Sequence, residues 1–157
     1  MKELDLHLKI KKCKFGVSQI NYLGMVLSPG QIKMDQIKLN GIKQWPTPKT
    51  MKDVRSFMGF TNFYRKFIGN YLNIARPLID LTKKNEPWNW NDACENVFNQ
   101  LKNIFMKEPV LQLPDLTKPF AITADASKYT SGVLLQKDAN GEWHPCSYLS
   151  QSFGPAK

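Results

Sequence analysis

The chain has 157 residues, 22 Lys and Arg against 13 Asp and Glu, and a formal net charge of +9. That length suits one ordinary domain or two small ones, and a composition that is 42% hydrophobic and 11% aromatic excludes a disordered or collagen-like chain. No apolar run approaches the roughly 20 residues of a membrane helix, and the opening MKELDLHLKIKK lacks the apolar core of a signal peptide.

Cys13, Cys94 and Cys146 are too scattered for a disulfide framework or a paired zinc knuckle. They are expected to be reduced, in an intracellular protein. The charge is uneven: residues 1–49 carry nine Lys and three acids, residues 50–108 nine Lys/Arg and six acids, and residues 109–157 four of each. Such a basic first two-thirds suits a polyanionic partner, because neutralising phosphates releases counterions. A solvated lysine face is the alternative.

In chain order, Leu4 and Leu8 stand at the i,i+4 spacing of a helix end. From Cys13 the pattern turns to short antiparallel strands, CKFGV, QINYLGMVLS and IKM, broken by Gly16 and by the turn signal Ser28-Pro29-Gly30-Gln31. Phe15, Val17, Ile20, Tyr22, Met25 and Leu27 are their expected apolar contacts. Asp35 is the expected N-cap of a helix through Trp45, which stops against Pro46-Thr47-Pro48. Thr50 and Asp53 form a capping-box pair opening a longer helix to about Ile68. Its apolar face is Val54, Phe57, Met58, Thr61, Tyr64 and Ile68, and Gly69-Asn70 is its stop.

A third helix is expected over Ile74 to Lys83 and a fourth over Asp92 to Met106, the latter burying Ala93, Val97, Leu101, Ile104 and Phe105. Trp88 and Trp90 between them read as strand or packing residues. After Pro109, Phe120–Thr123, Gly132–Leu135 and Trp143–Leu149 read as three strands, the last two joined at Asp138-Ala139-Asn140-Gly141. With no helix packed on it, this meander is expected to expose one full apolar face and to be the least stable region. The fold class is α+β: a short antiparallel hairpin, a helical bundle and a terminal β-meander.

Eight motifs stand in order along the chain: Lys12-Cys13-Lys14-Phe15, Tyr22-Leu23-Gly24, Trp45-Pro46-Thr47-Pro48, Arg55-Ser56-Phe57-Met58-Gly59, Asn62-Phe63-Tyr64-Arg65-Lys66-Phe67-Ile68, Ala75-Arg76-Pro77-Leu78, Pro109-Val110-Leu111 and Thr123-Ala124-Asp125-Ala126-Ser127. The series resembles the Pol polyprotein of gypsy-type long-terminal-repeat retrotransposons across essentially the whole chain. The resemblance implies that residues 1–34 correspond to the end of a reverse transcriptase palm, residues 35–108 to its thumb, and residues 109–157 to the first strands of a ribonuclease-H-like domain. It implies a parent enzyme that is an RNA-directed DNA polymerase and RNA–DNA hybrid nuclease using Mg2+. Its partners are a template–primer duplex and the remainder of the polyprotein, without a membrane, and its location is the cytoplasm, in a virus-like particle, and the nucleus.

By the same resemblance, Tyr22, Leu23 and Gly24 form a primer-grip hairpin that holds a primer end, in keeping with the demands of nucleotidyl transfer on placement. Read on its own, this is a tight hairpin with a glycine bend. Arg55, Gly59, Asn62, Phe63 and Lys66 resemble the thumb helix that follows the minor groove: Gly59 permits close approach, Arg55 and Lys66 reach phosphate, and Phe63 offers a flat face. The alternative makes Gly59 a helix-packing position and Phe63 a core residue.

Asp125 corresponds to the first of four carboxylates that hold two magnesium ions in ribonuclease H, so it is the catalytic and metal-ligating candidate. Otherwise it is a strand-end turn residue helped by Ser127. The triplet Asp125-Ala126-Ser127 excludes the Asp-Ser/Thr-Gly of aspartic proteases. His7 and His144 adjoin no nucleophile pattern and are expected to be surface or satisfied side chains. The sequence has no Asp-Asp pair and the other family carboxylates fall after Lys157, so this chain is expected to hold a duplex without catalysing either reaction and without binding Mg2+ tightly. The competing reading is a non-enzymatic basic module that binds nucleic acid or protein, derived from a degenerate transposon copy.

Overall fold

A computed structural model describes residues 9–126 and 129–152. The expected helix end at Leu4 and Leu8, together with His7, Ser127 and the last residues of the chain, lies outside them. Two antiparallel sheets flank a helical bundle, so the α+β class holds. The first sheet has the order β1-β2-β3-β4, formed by Ile20–Tyr22, Met25–Ser28, Gln31–Met34 and Val110–Gln112. Its two hairpins are tight: Tyr22 faces Met25 and Ser28 faces Gln31, which leaves Leu23-Gly24 and Pro29-Gly30 as the turns.

Two expectations change here. Residues 13–19 form no strand, and Phe15 and Val17 are exposed, because among the described residues no strand or helix covers them. Val110–Gln112, which the sequence does not mark as a strand, forms one and pairs with β3, Ile32 opposite Leu111. Leu111 is thereby buried in the core that the first sheet shares with the helices.

The helices start where local chemistry satisfies their free N–H groups. Asp35 caps α1 (Gln36–Lys43) by accepting from the Ile37 amide at 2.8 Å. Thr50 and Asp53 close a full capping box on α2 (Met51–Phe63), and Asn91 caps α4 (Asp92–Met106) through the Cys94 amide. The α2 helix stops five residues short of the expected Ile68 and passes into a 3₁₀ turn, Arg65–Phe67. This tighter winding lets Tyr64, Phe67 and Ile68 all bury.

α3 (Tyr71–Leu81) begins earlier than expected. Asn70, in the left-handed region at φ 57°, supplies no side-chain cap. Instead the Ser150 hydroxyl, 78 residues away, accepts from the Leu72 amide at 3.0 Å, a cap that no local pattern encodes. Leu39 and Ile42 of α1, Val54 and Phe57 of α2, Leu78 of α3, and Phe98, Leu101 and Phe105 of α4 form the core with Met25 and Met34 from the sheet. The Phe57 and Phe98 rings lie 4.7 Å apart. Trp88 and Trp90 are packing residues: they stack, and Trp90 donates to Glu95 at 2.7 Å.

The terminal sheet has the order β5-β6-β7, from Ala121–Ala126, Tyr129–Lys137 and Trp143–Ser152. A bulge lies between Leu134 and Leu135. One face of it is covered, by the bundle itself: Tyr148 meets Gly69, Ser150 caps α3, and Tyr129 accepts from Arg76. The opposite face leaves Ile122 and Leu149 exposed. No described helix is long and apolar enough to cross a membrane.

Candidate nucleic-acid interface

α2 is amphipathic in a way that separates its two jobs. Val54, Phe57 and Thr61 face the core, whereas Arg55, Gly59, Asn62 and Phe63 are exposed. A Cβ on Gly59 would meet no atom within 4 Å, so this glycine serves no helix packing. Phe63 is 54% exposed, so it is not a core residue. Arg55 is steadied by donating to the Thr82 carbonyl at 3.3 Å, and Asn62 accepts from Arg65 at 3.3 Å.

Lys66 departs from this stripe because the helix ends before it. It sits in the 3₁₀ turn with its ammonium 5.6 Å from the Phe67 ring centre, and burial lowers its pKa. The β1–β2 turn lies beside the end of α2. Tyr22 and Leu23 are exposed, and Leu23 and Gly24 both have positive φ, 49° and 74°. Leu23, Gly24, Lys38, Phe60, Phe63 and Tyr64 line an open groove of about 390 Å³.

The structure thus brings Leu23, Gly24 and Phe63 to one groove and places Arg55, Gly59 and Asn62 on the exposed face of the adjoining helix. Three lining residues were absent from the sequence-based site, Lys38, Phe60 and Tyr64. Tyr64 reads as part of the apolar face by its helical spacing, which conceals its hydroxyl. Lys38 stands three residues after the cap Asp35 and carries no signal beyond its charge.

Asp125 lies in β5 opposite Ser131 and is exposed. It borders a separate groove of about 240 Å³ with Gly69, Asn70, Thr123, Ser131, Gly132, Val133 and Tyr148. None of these brings a second carboxylate, and a two-metal clamp needs several. The residues present therefore do not fit the two-magnesium centre. Among the described residues, the one cluster of three or more metal-capable side chains is Asp138, Glu142 and His144 at the β6–β7 turn. Asp138 closes that turn by accepting the amides of Asn140 and Glu142 and pairs with His144 at 3.1 Å. Those bonds, the Glu142 amide first, hold its carboxyl below its ordinary pKa. Asp115 is likewise committed to Thr117, whose hydroxyl lowers its pKa.

A helical bundle between two antiparallel sheets is an α+β arrangement shared with a solved reverse transcriptase, and the sequence comparisons point the same way. Residues 90–157 match the family described as the RNase H-like domain found in reverse transcriptase. The chain is 36% identical over 152 residues to the retrovirus-related Pol polyprotein from transposon 412 of Drosophila melanogaster, covering 97% of the chain and 12% of that protein. It is 38% identical over 152 residues to the corresponding polyprotein from transposon 297 of the same fly, covering 96% of the chain and 14% of that protein. The foamy viral protease–reverse transcriptase solved in complex with an RNA/DNA hybrid superposes with a TM-score of 0.71 at 21% identity, covering 88% of this chain and 19% of that one.

In sequence the chain is similar to one segment of retrotransposon Pol polyproteins, and in fold to part of a foamy viral reverse transcriptase, with residues 90–157 matching a ribonuclease-H-like family. It spans 12–14% of the length of the two transposon relatives.

Proposed function

We propose that the chain holds a nucleic-acid duplex on the face formed by α2 and the β1–β2 turn, within a polyprotein that carries out RNA-directed DNA synthesis and RNA–DNA hybrid cleavage. The observation that carries this reading is the exposed stripe of α2, with Arg55, the open position at Gly59, and Phe63 leading into the groove beside Leu23. A duplex backbone approaches closely over Gly59, Arg55 meets phosphate, and the Phe63 ring lies against sugar. Each interaction is independent of base sequence.

Ribonuclease-H-like enzymes work with divalent metal. Asp125 would be one ligand of such a site, but its groove offers no second carboxylate to share the metals. The same reading places the chain in a cytoplasmic particle and, with its nucleic acid, in the nucleus.

Fluorescence anisotropy with an RNA–DNA or DNA duplex across a salt series tests the interface. Affinity is expected to fall steeply with salt, and Arg55→Ala to weaken binding while reducing the logarithmic slope by about 1. Gly59→Leu fills open space on the exposed face, so it should leave folding intact and weaken binding without changing the slope. Lys137, whose ammonium rests over Trp143 on the terminal sheet, is the control. If Lys137→Ala costs as much as Arg55→Ala, the attraction is diffuse and the α2 assignment fails.

A further inference from the structure

We infer that Tyr64 is a positioning residue for this interface: its hydroxyl locks the β1–β2 turn onto the end of α2, so that turn and helix meet a duplex as one rigid surface. The inference rests on the duplex reading above and extends it to a side chain that need not touch the ligand. The Tyr64 phenol donates to the Gly24 carbonyl at 3.1 Å, across 40 residues of sequence. The same carbonyl accepts the Asp35 amide at 3.0 Å. One peptide oxygen at the turn is thus tied both to the cap of α1 and to the end of α2.

The turn needs this support. A two-residue hairpin loop with positive φ at both central positions normally carries Asn-Gly or Asp-Gly, whose residues adopt that shape readily. Here the first position is Leu23, at φ 49°, a conformation branched aliphatic side chains rarely take up. Leu23 is also 63% exposed, so core packing does not hold it there. A sparsely populated backbone conformation persists when its surroundings over-determine it, and the two bonds to Gly24 supply that constraint.

Tyr64 is suited to the task. It is 2% exposed, and the rings of Phe60, Phe63, Phe67 and Phe105 lie 4.9 to 6.4 Å from its own, so the phenol cannot swing away. A Cβ on Gly24 would collide with that hydroxyl, which makes glycine the residue that admits the bond. Burial, and then the nearby charge of Asp35, raise the phenol pKa. It therefore remains a protonated donor at neutral and mildly alkaline pH.

Tyr64→Phe removes the hydroxyl and keeps the ring, and Gly24 keeps its Asp35 donor, so the fold should survive with little change in Tm. Duplex affinity is expected to fall about two- to tenfold with the salt slope unchanged, since no charge is lost. Gly24→Ala should weaken binding in the parent chain and cost less in the Tyr64→Phe background, where the collision is relieved, giving a non-additive cycle. In the free chain, amide exchange at residues 23–26 should accelerate in Tyr64→Phe while residues 31–34 stay protected. Unchanged affinity and unchanged exchange, or an additive cycle, overturn the clamp. A parent chain that binds no duplex overturns the duplex reading and with it the positioning role, whereas faster exchange at the turn would still establish the bond as what holds Leu23.

Discussion

In the helical bundle Val54, Phe57, Ala75, Leu78, Leu101 and Phe105 have no exposed surface, whereas the buried side chains of the terminal sheet among the described residues are Gln136, Cys146 and Ser150. Two of those three are polar. The bundle is held by apolar area removed from water, a non-directional force that grows with every packed ring. The sheet is held by directed bonds to its surroundings: Ser150 to α3, Tyr129 to Arg76, and Gln136 to the loop before β5. Apolar burial tolerates small displacements, while a hydrogen-bonded attachment depends on a few atoms. The sheet should therefore detach as a unit before the bundle unfolds.

The largest effect that tests this contrast is in the bundle. Phe57→Ala, which removes a ring packed against Phe98 and Trp45, is expected to cost about 3–5 kcal/mol in denaturant unfolding. Ile122→Ala, on the exposed face of the sheet, should stay within about 0.5 kcal/mol. Equal costs would mean that the sheet has an apolar core of its own.

A smaller effect comes from Gln136, which is fully buried and both accepts from the Asp115 amide and donates to the carbonyls of Asp115 and Lys118. Gln136→Leu leaves three backbone groups without that partner and should cost about 1–3 kcal/mol. The loss should appear as faster amide exchange in residues 115–137, with the α2 and α4 amides unaffected. Loss of protection throughout the chain would show that sheet and bundle are one cooperative unit.

The smallest effect is electrostatic and confined to the start of α2. Hydrogen bonds from the Lys49 amide first, and then from Thr50, hold the Asp53 carboxyl below its ordinary value of 3.8. Because the folded-state pKa is depressed, the stabilisation is complete above that value and is lost as the pH falls through the lower folded-state pKa. Amide exchange at residues 50–54, measured from pH 5 to pH 2.5, should accelerate only at the acid end, and Asp53→Asn should flatten the change. An unaltered acid response in Asp53→Asn would assign it to other carboxylates.

Much of the bundle was legible because its signals are local. The Thr50–Asp53 box, the Asp35 cap and the spacing of Val97, Leu101 and Phe105 in α4 each operate within one or two turns of chain, although Ala93, expected to be buried, is exposed and Cys94 and Phe98 bury in its place; the Pro29-Gly30 turn and the Asp138–Gly141 hairpin operate within a few residues. The exposed stripe of α2 was legible for the same reason, since Arg55, Gly59 and Phe63 recur at four-residue intervals opposite the apolar face. Lys66 was misplaced because extending that spacing assumes that the helix continues, and the packing of Tyr64 and Phe67 ends it.

By itself the sequence determined the α+β class, the starts of α1, α2 and α4 and the likeness to a Pol segment, all of which rest on residue type at short spacing. Only the tertiary structure decided that Val110–Gln112 completes the first sheet, that Ser150 caps α3, and that Tyr64 reaches Gly24. Each of these joins groups 40 or more residues apart, and a backbone amide donates to, or a carbonyl accepts from, any partner of suitable geometry. Periodicity shows which face of an element is apolar; it carries no record of which distant hydroxyl or strand edge the folded chain brings to meet it.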